Sequence, residues 1–194
     1  MTDRRVERHQ ATRRRILDVS WSLARERGLA GLALRDVADS VGMRTPSLYV
    51  YFDSKNAVYD AMFADGYRAL LAKIDETSTE GEPAAVLRRA AHLFFDFAVA
   101  DPARYQLLFL RTIPGFVPTE ESYLLAQAAV ARLNDVLHEA GAVTSEESDL
   151  WTAMVTGLAS QQISNDPGGD RWERLIDRAV DVLVGHHPVP PAGS

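Results

Sequence analysis

The chain has 194 residues, 46% of them hydrophobic, no cysteine, and a formal net charge of −6 at pH 7. That length fits one domain or two small ones with enough apolar material for a core, and the missing cysteine excludes disulfides and thiolate metal sites. No run approaches the roughly 18 apolar residues that cross a bilayer, and the charged amino-terminal stretch lacks the apolar region of a secretory signal, so a cytoplasmic protein is expected.

Charge is unevenly distributed. Residues 1–55 carry 11 Lys and Arg against 7 Asp and Glu, whereas residues 56–194 carry 10 against 20. A basic head on an acidic body directs a polyanion to one end of the molecule, so the acidic total does not argue against nucleic acid.

Helical periodicity runs along nearly the whole chain, and no alternating strand pattern stands out. Ile16, Leu17, Ser20, Leu23 and Ala24 predict a helix over about 10–27, stopped by Gly28. Ahead of it, Arg4, Arg5, Arg8, Arg13, Arg14 and Arg15 read as a basic arm, flexible enough to reach phosphates or the minor groove. Residues 34–41 form a second helix facing inward through Leu34, Val37, Ala38 and Val41, and Gly42 turns the chain. Thr45 as N-cap with Pro46 at the first helical position begins a third, ending near Tyr51. A fourth, capped by Asp53 or Ser54, continues to about Ser78.

Beyond the polar break 79–82, Pro83 opens the next helix, and Asp101 with Pro102 starts another. TIPGFVP, residues 112–118, reads as a loop. Thr119 restarts a helix that Gly141 stops. Thr144 and Glu147 have capping-box spacing ahead of a long helix, and Asp170 and Glu173 have a related arrangement ahead of the last. About nine helices are expected, then a frayed tail over 188–194.

Two short helices joined at a glycine suit a helix-turn-helix, in which the first helix crosses the backbone and the second enters the major groove. The outward face carries Arg35, Arg44, Thr45, Ser47, Tyr49, Tyr51 and Lys55. Arg forks onto guanine, Thr meets a base edge or a thymine methyl, and Tyr and Lys suit phosphate. A solvated helical hairpin in a protein–protein adaptor would share the helices without needing Tyr49, Tyr51 and Lys55 on one face.

The successions RRRILDVSWSLARERG and LRDVADSVGMRTPSLYVYFDSKNAVYDAMF, with their SLYxYFxSK core, resemble the DNA-binding head of the tetracycline-repressor (TetR) family over about 11–63. The resemblance implies an all-α protein: a three-helix DNA-binding domain over 1–55 and a helical effector-binding and dimerisation domain over 56–187. Arg35, Arg44, Thr45, Pro46 and Tyr49 would approach bases, and Ser47, Tyr49, Tyr51 and Lys55 would hold phosphates. The implied partners are a double-stranded operator, a second copy of the chain and a small-molecule effector, with repression relieved by ligand; an activator of the same family is the alternative. One departure is Ala33, where the family often has a capping Thr.

In the body, Tyr67, Leu71, Phe94, Phe95, Tyr105, Phe109, Phe116 and Trp151 are candidate ligand-pocket residues, with Phe116 as a lid. By resemblance, the last two helices pair with their copies through Met154, Val155, Leu158, Leu175, Ile176, Ala179 and Leu183. The five histidines are scattered, with no metal pattern, phosphate loop or nucleophile elbow, so no catalytic residue, metal or cofactor is expected and an enzyme is disfavoured.

Overall fold

The computed structural model describes residues 2–139 and 144–185; the predicted stop at Gly141 and the predicted tail lie outside the described residues. The order is α1 (Thr2–Arg27), α2 (Leu34–Ser40), α3 (Thr45–Leu48), α4 (Lys55–Asp75), α5 (Pro83–Ala100), α6 (Pro102–Phe109), α7 (Glu120–Glu139), α8 (Ser145–Asn165), a 3-10 turn (Glu173–Leu175) and α9 (Ile176–Gly185). No strand occurs among the described residues. The chain is all-α, as its periodicity predicts.

Local chemistry sets several of these boundaries. Gly42, at φ 74°, ends the α2 turn in a conformation that a Cβ would strain. The Ser54 hydroxyl accepts from the Ala57 amide and caps α4. Asp101 accepts from the Arg104 amide at the start of α6, with Pro102 in the first helical position. Thr144 and Glu147 form the full capping box that opens α8.

Four expectations are corrected. The basic arm is helical: α1 begins at Thr2, because no glycine or proline interrupts Thr2–Arg27 and its Arg, Glu and Gln residues favour helix. Thr45 is not the cap of α3. Arg44 holds the extended cap conformation, no side chain bonds there, and α3 ends at Leu48, before a turn. Helix α4 ends at Asp75, not near Ser78. The last helix enters through the 3-10 turn, since the Asp170 backbone carbonyl, not a side-chain cap, takes the Arg174 amide.

Backbone proximity divides the chain into two compact units. The first comprises the residues up to Ala69 with Asp101–Gln127; the second comprises Leu70–Ala100 with the described residues from Ala128 onwards.

In the first unit, Ile16, Trp21, Leu32, Val37, Ala38, Leu48, Phe52, Val58 and Met62 form the core. Polar clasps surround it. Asp65 of α4 accepts from Arg14 at 2.8 Å and from the Trp21 indole at 2.9 Å. Asp101, itself buried, pairs with Arg25 of α1 at 2.8 Å and with Arg104 at 3.3 Å. Gly66 lets α4 approach α6 closely: a Cβ there would lie 3.0 Å from the Leu108 side-chain end, which would have to shift by a few tenths of an ångström.

The second unit packs α5 against α8 and α9. Phe94, Phe95, Phe97, Trp151, Val155, Ala159, Ile176 and Val180 are buried in it. The connection after α8 folds around buried Gln162, whose amide donates to the Asp166 and Gly169 carbonyls and accepts from the Trp172 amide at 2.9 Å. Asp166 also accepts from the Arg171 backbone N–H, which holds its carboxyl below the usual range.

Candidate nucleic-acid interface and cavity

Helix α3 is four residues long, far too short to stand alone. Its position comes from Leu48, fully buried beside the likewise buried Val37 and Ala38 of α2, with Phe52 beneath the turn that follows. Arg13 of α1 clamps that turn from outside: its guanidinium donates to the Tyr51 carbonyl at 2.6 Å and lies 4.3 Å from the Phe52 ring centre. The buried side chains thus leave the opposite face of α3 free.

Five of the eight predicted DNA-contact residues lie on α3 or at its two caps, Arg44, Thr45, Pro46, Ser47 and Tyr49; Tyr51, Lys55 and Arg35 lie in the following turn, on α4 and on α2. Arg44, Pro46 and Ser47 are exposed, Thr45 is half-buried, and Tyr49 is 48% exposed. Tyr51 is half-buried and stacks on His9 of α1 at 4.8 Å, a contact with no sequence signature. Lys55 opens α4, with its ammonium 5.3 Å from the Tyr59 ring centre. Arg35 is exposed on α2, 3.8 Å from Asp39. Ala33 sits at the cap of α2 without a side-chain hydrogen bond, so the departure noted in the sequence does leave that amide uncapped.

The first unit also encloses a cavity of about 660 Å³. Phe63 and Tyr67 of α4, Leu107, Leu108 and Phe109 of α6, residues Arg111–Pro118 in part, and Glu120, Tyr123 and Ala126 of α7 line it. Three of the predicted pocket residues meet there: Tyr67, Phe109 and Phe116. Tyr105 is buried behind them, its ring 5.5 Å from Phe109. Leu71, Phe94, Phe95 and Trp151 belong to the second unit and do not line it.

The cavity wall is mainly apolar and aromatic, with Arg111, Thr112, Glu120 and the two tyrosines as its polar groups. Arg111 is exposed and forms no ion pair among the described residues. The Tyr67 hydroxyl donates to the Leu108 carbonyl at 3.2 Å, and burial pushes its pKa up to about 12 from an ordinary 10.0, with Tyr123 adding to the rise. Between pH 10 and 12 the folded state therefore keeps a proton that the unfolded chain loses, so Tyr67 subtracts stability as pH rises through that window. In an alkaline titration of phenolate absorbance, Tyr67→Phe should remove one late-ionising group, near pH 12.

Sequence reasoning missed the group that fixes the cavity loop. Asp60 of α4 accepts from the Thr119 amide at 2.7 Å, the Thr119 hydroxyl at 3.0 Å and the Ser122 hydroxyl at 2.8 Å, capping α7 from another helix. The partners are 59 and 62 residues away, and no spacing rule connects them.

Comparison with known proteins bears on both parts. Residues 16–62 match the family described as bacterial regulatory proteins, tetR family, and residues 87–184 match the tetracyclin repressor-like C-terminal domain. The chain belongs to the tetR family. Among its relatives is an HTH-type transcriptional regulator of Mycobacterium tuberculosis, 26% identical over 163 residues that cover 75% of this chain and 66% of that protein. The HTH-type regulator YobS of Bacillus subtilis is 25% identical over 100 residues, 52% of each chain. The chain thus spans about half to two thirds of the length of these curated relatives. The tetR-family fold recurs in the regulator PfmR of Thermus thermophilus, with TM-score 0.66 and 18% identity over 88% of this chain and 97% of that one. It recurs in FadR of Bacillus subtilis, solved with stearoyl-CoA, with TM-score 0.65 and 16% identity over 90% and 98% of the two chains. At such identities these two structures speak for the fold alone.

Proposed function

We propose that this tetR-family chain is a sequence-specific DNA-binding transcriptional regulator, a homodimeric repressor that leaves a palindromic operator when a small apolar or amphipathic ligand enters the cavity. The observation that carries the reading is the face of α3. Arg44, Ser47 and Tyr49 stand exposed around a helix whose only buried residue, Leu48, holds it in place. Arg44 suits a guanine edge, while Ser47, Tyr49, Tyr51 and Lys55 suit phosphates.

Dimerisation is supported by apolar surface on the last two helices. Met154, Leu158, Leu175, Ala179 and Leu183 are half-buried, and Leu150 and Val182 beside them are 61% and 56% exposed. Val155 and Ile176 are already covered by the chain's own core. A second copy would cover the remaining stripe and supply a second recognition helix, matching half-sites about 34–36 Å apart.

A cavity of about 660 Å³ lies within the range of about 300–1,000 Å³ usual for small-molecule sites. The fatty acyl-CoA held by the Bacillus FadR structure is one amphipathic ligand carried on the same fold. No helix among the described residues is long and apolar enough to cross a membrane.

The test is a gel-shift titration against the intergenic DNA upstream of the chain's own gene, at physiological salt. A band that survives about a thousandfold excess of random duplex is the expected result, since specific sites bind at least that much more tightly. Binding that random duplex competes away equally, with a uniform salt dependence, would overturn it.

A further inference from the structure

We propose that Phe116 is the element of the cavity wall that reports occupancy to the DNA-reading face, and that Tyr59 is the positioning residue receiving it. The inference deepens the regulator reading above and rests on it for its operator readout.

Tyr59 is 2% exposed and makes three contacts that belong to different parts of the first unit. Its hydroxyl donates to the Leu29 carbonyl at 2.6 Å, in the connection between α1 and α2. One turn earlier on the same helix, the Lys55 ammonium lies 5.3 Å from its ring centre. Phe116, from the loop between α6 and α7, meets its ring edge-on at 5.8 Å. One residue therefore touches the corner before the helix-turn-helix, a proposed phosphate contact and the cavity wall.

Phe116 is suited to move. It is half-buried, and its neighbour Val117 is 79% exposed, so displacing it unfolds no helix. The loop is anchored just beyond it, where Asp60 caps Thr119 and Ser122, so motion is confined to the segment carrying Phe116. Phe116 also packs against Phe63 at 6.3 Å, and Phe63 against Tyr67 at 4.8 Å; both are cavity-lining rings. An apolar occupant that takes the place of Phe116 on Phe63 removes the same side chain from Tyr59. The Leu29 corner and Lys55 then lose the ring that braces their shared tyrosine. Coupling of this kind changes affinity by about 5–150-fold, equally in both directions.

The test needs no identified ligand, because Phe116→Ala reproduces the displaced state. Two readouts are taken on the full chain: affinity for the operator duplex, and amide exchange of Gly31 and Leu32, whose N–H groups donate to the Gly28 and Leu29 carbonyls. Phe116→Ala is expected to weaken operator binding by about 5–150-fold and to speed exchange at both amides, with Phe116→Tyr restoring both and Val130→Ala, at an exposed position outside the cavity lining, changing neither. Tyr59→Phe, which keeps the ring and deletes the bond to Leu29, should also speed exchange. Unchanged exchange and unchanged operator affinity in Phe116→Ala overturn the proposal. If the wild-type chain shows no operator preference, the regulator reading fails; exchange at Gly31 and Leu32 then decides the Phe116 contact alone, and unchanged exchange overturns it.

Discussion

Replacing Trp151 with alanine is expected to remove about 3–5 kcal/mol of folding free energy, a large fraction of the roughly 5–15 kcal/mol by which a native domain is ordinarily stable. Trp151 is 1% exposed and is the largest of the fully buried side chains, on α8 in the second unit, where that helix packs on α5 and α9. Truncation leaves a cavity that three helices cannot close without shifting. The indole N–H is buried with no hydrogen-bond partner among the described residues, which makes the contrast with phenylalanine informative. Trp151→Phe keeps an aromatic ring and deletes an unsatisfied donor, whose desolvation costs about 1–3 kcal/mol. It should therefore cost far less than Trp151→Ala. Urea unfolding of the two variants checks this; equal losses would mean that the N–H, not the ring volume, governs the site.

The second large effect separates folding from reading in the head. Leu48→Ala is expected to cost about 2–5 kcal/mol, because Leu48 is 0% exposed and a four-residue helix has no other anchor of its own. Operator binding should fall with it, since α3 loses its position on α2. Arg44→Ala provides the opposite case. Arg44 is exposed and makes no side-chain cap bond, so stability should stay within about 0.5 kcal/mol. Operator affinity should nonetheless drop by the roughly 1–3 kcal/mol of one base contact, about 5–150-fold, and selectivity at one position should relax. Paired denaturation and binding curves check both variants. Unchanged binding by Arg44→Ala would remove that residue from the reading face.

Much of this architecture is visible in short stretches of residues. The positive φ at Gly28 and Gly42, the Asp101 cap, and the Thr144–Glu147 capping box are side-chain or backbone preferences acting over three or four residues. Five of the predicted contact residues share α3 and its caps because they are neighbours in sequence, and burial of Leu48 beside Val37 and Ala38 leaves Arg44, Pro46, Ser47 and Tyr49 exposed. Where local signals competed, the prediction slipped. Thr45 has the chemistry of a cap, but Arg44 holds the cap backbone, and the basic arm continues as helix because nothing in it breaks one.

The aromatic residues divide for a different reason. Tyr67, Phe109 and Phe116 line the cavity, whereas Leu71, Phe94, Phe95 and Trp151 lie in the other unit, although composition does not distinguish the two groups. Hydrophobic burial is non-directional, so an apolar residue states that it will be covered but not by what. Asp60 with Thr119, Tyr59 with Leu29, and Arg25 with Asp101 pair residues 59, 30 and 76 positions apart. Most helices, the caps at Asp101 and Thr144 and the polar residues of α3 were already present in the amino-acid order, because they follow from contacts within a turn or two of chain. The cavity and the Tyr59–Phe116 contact were decided by tertiary packing, because only folding brings α4, α6 and the loop after it to within a few ångströms.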